Sequence, residues 1–103
     1  PPSQQIQDIL NFFDERVAVG TIQGTIQGYG PGNSPSKRLN ALRNMIESAG
    51  DLINAEAYEQ AIDQLEAISK KTDGIPKPQD FVVGEAVEDL NTKVEALIDD
   101  LLS

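Results

Sequence analysis

The chain has 103 residues, with 8 Lys and Arg against 17 Asp and Glu, a net charge of −9, and neither histidine nor cysteine. That length suits one domain, since domains run to roughly 100–200 residues, and the missing residue types exclude disulfide frameworks and the cysteine- or histidine-based sites that zinc and copper favour. The lack of histidine also removes the side chain best suited to proton transfer near neutral pH, and the acidic excess opposes phosphate backbones and anionic lipid surfaces.

No apolar run reaches the ~18 residues of a membrane span, and no basic-then-apolar signal segment occurs. The chain opens on Pro1-Pro2, which reads as the end of a stiff linker and as a module excised from a longer polypeptide. Ser3 is the expected cap of a first helix over about 4–19, with Asp8 near the positive end of its dipole. Ile6, Ile9, Leu10, Phe13 and Val17 recur at helical spacing, so one face is apolar; Phe12 lies beside that stripe. Gly20 stops the helix.

From Gly20 to Pro35 the chain carries five glycines and two prolines, so no helix continues there. Inside lies a tandem, Thr21-Ile22-Gln23-Gly24 and Thr25-Ile26-Gln27-Gly28. Read with period two, it puts both isoleucines and both glycines on one face of an extended segment laid over the helices. Residues 29–34 then read as tight turns. The second helix is expected over about 36–53, capped by Ser34 or Ser36, with Leu39, Leu42, Met45, Ile46, Ala49, Leu52 and Ile53 as its stripe. Gly50 interrupts that stripe at a cost of about 1 kcal/mol relative to Ala, which implies close approach of another backbone.

A third helix over about 56–71 buries Tyr58, Ala61, Ile62, Leu65 and Ile68. The short break before it requires an antiparallel hairpin, with Ala49, Ala57 and Ala61 permitting close packing. The thirteen residues from Thr72 to Gly84 hold Pro76 and Pro78 and make a long connection, of the kind that carries function or wraps a core. Phe81, Val82 and Val83 dock it. A fourth helix over about 85–102 uses Val87, Leu90, Val94, Leu97, Ile98 and Leu101. Asp99 and Asp100 at its negative end, and Lys37, Arg38 and Arg43 near the positive end of the second helix, are all disfavoured by the dipoles. Placing those two ends together would relieve both. The sum is an all-α, four-helix bundle-like single domain over 1–103, with a Gly-rich loop after the first helix and a long Pro-containing loop before the fourth.

Little in this pattern carries reaction chemistry. Ser3, Ser34, Ser36, Ser48, Ser69 and Ser103 have no histidine to activate them, and Ser69 and Lys70, being adjacent on a helix, do not face each other. The acidic residues occupy polar helix faces, where they are solvated charges rather than a catalytic pair. The glycine-rich loop matches neither phosphate-binding pattern, and Pro31 within it has no N–H to donate. Asp73 and Asp80 place two carboxylates on one loop, the basis of a calcium alternative, although the EF-hand spacing is absent. Tyr29, on a loop tip, is the one aromatic placed to stack on a saccharide.

Four blocks, GYGPGNS (28–34), RLNALRNM (38–45), AGDLI (49–53) and KTDGIPKPQDFV (71–82), occur in this order along the chain. Together they resemble a helical module found at the C-terminal end of secreted or cell-surface bacterial and archaeal multidomain proteins, the FIMAH domain. The likeness spans nearly the whole chain. It departs where Ala67-Ile68-Ser69-Lys70 replaces the family's Phe-Ile-x-x-His, and in the doubled TIQG unit. The resemblance implies an extracellular or cell-surface accessory module without catalysis.

The functional expectation is therefore a non-catalytic module mediating protein interaction or attachment within a larger secreted protein. No catalytic, metal or cofactor-binding residue is assigned, and the partner expected is a protein or cell surface, not nucleic acid or membrane. The contact surface is the loop pair, with Tyr29, Asn33, Arg38 and Arg43 on one side and Lys77 on the other. The alternative is a calcium- or carbohydrate-binding module using the same two loops.

Overall fold

The four stretches of helix-period hydrophobicity become four helices in the computed structural model, which describes residues 1–17, 24–75 and 79–103. They are α1 (Pro2–Arg16), α2 (Ser34–Asn54), α3 (Tyr58–Lys70) and α4 (Val87–Leu102), and each lies against the next, with α4 closing back onto α1. Their neighbours run antiparallel. Asp14, late in α1, meets Arg43, midway along α2, while Gly50, late in α2, lies beside Ile6, early in α1. Gln5 of α1 donates to Asp100 of α4 across 2.5 Å, and Ser69, late in α3, donates to Glu95 of α4. The result is an up-down-up-down bundle whose core is formed by the predicted stripes: Ile6, Ile9 and Phe13; Leu42, Ile46, Ala49 and Ile53; Ala61, Leu65 and Ile68; Leu90, Val94, Leu97 and Ile98. No helix of the structure, among the described residues, is long and apolar enough to cross a membrane.

Helix ends differ from the sequence expectation, because backbone geometry rather than side-chain capping sets them. α1 starts at Pro2, with Pro1 as its cap residue and no side-chain cap bond. Proline suits a first helical position, where its missing N–H has no intrahelical partner to lose; Ser3 therefore lies inside the helix. Asn33, not Ser34 or Ser36, caps α2, again without a side-chain bond. α1 ends at Arg16, and Val17 is extended, bridging Ile26 in parallel. The expected continuation to residue 19, and Ile22 of the first TIQG unit, lie outside the described residues.

Between α2 and α3 the chain turns through Ala55, Glu56 and Ala57. Glu56 N–H donates to the Ile53 carbonyl at 3.0 Å and Ala57 N–H to the Leu52 carbonyl at 2.9 Å. This paired closure is a Schellman motif, and it forces Glu56 to φ +60°, a left-handed conformation that favours glycine. α3 consequently begins at Tyr58, later than expected. Tyr58 is 42% exposed rather than buried, because it lies at the first residue past that turn. Gly50 also departs from expectation. A Cβ there would meet only Ile6 side-chain carbons at 3.6 Å, so no neighbouring backbone requires the glycine.

The charged ends of α2 and α4 do not meet. Those two helices run in the same direction, so the start of one and the finish of the other lie at opposite ends of the bundle. Asp100 instead sits beside the start of α1, where Gln5 donates to it and the dipole of the antiparallel neighbour is positive.

The same topology brings the two long loops to one end, away from both termini. There β1 (Gln27–Gly28) pairs antiparallel with β2 (Val82–Val83), Gln27 opposite Val83 and Gly28 opposite Val82. The ribbon is fastened on both flanks. Ile26 N–H donates to the Arg16 carbonyl at 2.9 Å, Tyr29 N–H to Phe81 at 2.9 Å, Phe81 N–H to Lys71 at 3.0 Å, and Ala86 N–H to Thr25 at 3.1 Å. Ile26 is wholly buried, as is Val82. Two glycines allow this closeness. A Cβ on Gly28 would stand 2.1 Å from the Pro35 carbonyl oxygen, and one on Gly84, at φ +135°, 2.2 Å from that of Thr25.

Candidate functional site

Of the residues expected to form the contact surface, Tyr29, Asn33 and Arg38 lie together at the loop end. Arg38 is less free than expected. Its Nη1 donates to the Tyr29 carbonyl at 2.6 Å, and its guanidinium lies 5.9 Å from the centre of the Phe81 ring, whose face also holds the Lys71 ammonium at 4.6 Å. Arg38 thus ties α2 to both loops. Asn33 is exposed at the start of α2. Arg43 belongs elsewhere: further along α2 it grips both carboxylate oxygens of Asp14 at 2.9 Å and also pairs with Glu47. Those bonds hold its charge on the α1–α2 face, away from the loops. Lys77 lies outside the described residues.

Two neighbouring hollows occupy the loop end. One, of about 280 Å³, is lined by Tyr29, Ile75, Gln79 and Val83, together with Gly74 and Asp80. The other, of about 440 Å³, lies between β2 and the start of α4 and includes Asp73, Val87, Glu88 and Asn91. They adjoin across Gly74, Asp80 and Val83, which line both. Tyr29, Ile75 and Val83 are 44, 56 and 41% exposed, and they are three of the five exposed large hydrophobic residues among those described. The other two, Tyr58 and Leu102, sit at the opposite end. Apolar side chains exposed singly are ordinary; three gathered on one groove are not.

Asp73 and Asp80 do come together. Asp73 Oδ1 accepts from the Ile75 N–H at 2.9 Å and Asp80 Oδ2 from the Gly74 N–H at 2.8 Å, so the two carboxylates shape the turn between them. Among the described residues, Asp80 Oδ1 is buried without a hydrogen-bond partner. Burial pushes the Asp80 carboxyl above the ordinary carboxylate range, the Gly74 N–H opposes that, and the neighbouring Asp73 charge adds to the rise. Among the described residues no group of three or more acidic, histidine or cysteine side chains is placed to hold a metal ion.

A polar cluster beneath the larger hollow was not anticipated. Asn91 Nδ2 lies 3.1 Å from the Ser69 carbonyl, Ser69 Oγ and Thr72 Oγ1, while Ser69 Oγ donates to Glu95. Thr72 Oγ1, buried, donates to the Ile68 and Ser69 carbonyls at the end of α3. These bonds satisfy carbonyls that a helix terminus leaves open and secure the loop's departure. The readable signal was Asn91 and Glu95, four residues apart on one flank of α4. Ile75 was missed for a different reason: it stands alone between Asp73-Gly74 and Pro76, outside any stripe. Comparison with known protein families, with curated proteins and with solved structures gives no match.

Proposed function

We propose that this chain is a non-catalytic accessory module, acting at the cell surface or outside the cell, that mediates attachment or protein interaction for a larger secreted protein through its loop end. The observation that carries this reading is the convergence of Tyr29, Ile75 and Val83 on one groove at the end opposite the termini. The start of α1 and the end of α4 lie together at that opposite end. The resemblance to the FIMAH module supports the same setting, and the net charge of −9 favours a protein partner over nucleic acid or anionic lipid. Thr72 and Asn91, which line the adjoining larger hollow, and Ser69 bonded to Asn91, are engaged in closing α3, which favours scaffolding over reaction chemistry.

The test is partition of the full-length polypeptide that carries this module between cell surface and medium. Tyr29→Ala combined with Ile75→Asp is expected to shift it into the medium while melting remains cooperative, since both side chains are largely exposed. Unchanged partition would contradict the reading. The calcium alternative keeps one observation, the juxtaposition of Asp73 with the unpartnered Oδ1 of Asp80. Two carboxylates fall well short of the six to eight oxygens calcium takes. A melting temperature that rises with calcium and falls with chelator would favour it.

A further inference from the structure

We infer that the groove receives an extended, basic and aliphatic peptide segment from a protein partner, an inference that rests on the loop-end reading. The two hollows form one trough, and every charged residue lining it among the described residues is acidic: Asp73, Asp80 and Glu88. Its apolar part is aliphatic and aromatic, Ile75, Val83 and Tyr29, and remains exposed. A segment that fills this trough therefore needs a cation within reach of the carboxylates and aliphatic carbon over Val83 and Ile75. A second copy of this chain, itself at net −9, lacks that charge complement.

The shape of the partner follows from the lining. The hollows share Gly74, Asp80 and Val83, so a segment that fills both is extended across them. β2 offers no further edge, because Tyr29 N–H donates to the Phe81 carbonyl, which leaves Val82 as the strand residue with main-chain groups turned from β1, and Val82 is wholly buried. A cation on that segment meets an acidic wall set in a partly enclosed site, where charge attraction is weakened less by solvent than on an open helix face. The Asp80 carboxylate, which is costly to leave charged and unpaired, is relieved when a cation approaches.

The experiment is a nitrogen-15 correlation titration of the whole chain at physiological salt with three short peptides, alternating Lys with Val, Glu with Val, and Lys with Gly. The Lys–Val peptide is expected to move the amide signals of Thr72–Ile75 and Gln79–Gly84, binding at least about tenfold more tightly than either of the others. Asp73→Asn with Glu88→Gln should weaken that binding about tenfold, and Val83→Ser should weaken it independently with the charges intact. If Glu–Val binds the same signals as well as Lys–Val, the basic-partner inference is overturned while the loop end stands as a contact surface. Shifts confined to the outer helix faces would overturn both. Silence from all three peptides overturns the inference, leaving the surface itself to be decided by the partition measurement.

Discussion

At one end of the bundle α2 passes to α3 through Ala55, Glu56 and Ala57; at the other, residues 24–33 and 79–86 meet and are stitched by β1 and β2. The first connection is local, and two backbone hydrogen bonds between residues three and five apart complete it. The second is assembled from segments far apart in sequence, each with few partners of its own, and holds only because the bundle brings both loops to one place. Local closure leaves little surface to vary. The stitched end leaves a trough with exposed apolar side chains, acidic walls and an unpartnered carboxylate oxygen.

The comparison breaks most visibly at Ile26. It is the residue through which the first loop enters the core, and it is fully buried. Ile26→Ala should cost about 2–5 kcal/mol in denaturant unfolding, with loss of amide protection at Tyr29 and Ala86 before the helices. A loss below 1 kcal/mol would mean that the loop contributes little to the core. Gly84→Ala comes next. The added Cβ meets the Thr25 carbonyl in a backbone conformation that alanine disfavours, so roughly 2–3 kcal/mol should be lost, again at the loop end.

Asp80 sharpens the contrast by pH. Its carboxyl binds a proton more tightly in the folded chain than in the unfolded one, chiefly through burial. The stability this gives is present below the ordinary carboxylate pKa and is lost as pH rises through the raised folded value. Asp80→Asn keeps the acceptor for Gly74 and removes the unpaired charge, so it should raise the melting temperature at pH 7 and leave little gain at pH 4. A variant less stable at pH 7 would show that the carboxylate has a partner there.

The smallest effect is expected at the other end, where Glu56 holds a left-handed conformation. Glu56→Gly should stabilise by about 0.5–1 kcal/mol in the same unfolding measurement, since glycine adopts that geometry without a Cβ clash. No gain would indicate that the Glu56 side chain compensates for the strain.

The helices were legible because burial repeats every three to four residues, and Ile6, Ile9, Phe13, Leu42, Ile46, Leu65 and Leu90 all face the core that their spacing assigned. Their ends were less so. Pro2 starts a helix that Ser3 was expected to cap, and Asn33 supplies a cap position with no side-chain bond. Reading each misplaced charge at α2 and α4 as a mate for the other failed, because helices two apart in an up-down bundle are parallel. The doubled TIQG unit hinted at an extended segment, and Ile26 and Gly28 fit that reading. Its partner at Val82–Val83 was not legible, because strand pairing between separate loops leaves no period in either one. Within the site, Tyr29 and the Asp73–Asp80 pair could be named from the sequence. Val83 was expected to dock with Phe81 and Val82, but the strand alternates its side chains and leaves it outside.

The central claim is that the two long loops pair with each other and present one face. Cross-strand nuclear Overhauser contacts between Gln27 and Val83, and between Gly28 and Val82, measure it most directly. The account predicts both, together with slow amide exchange at Tyr29 and Ala86. Absence of those contacts, with exchange at both amides as fast as in an unfolded chain, would contradict it and remove the trough on which the proposed function rests.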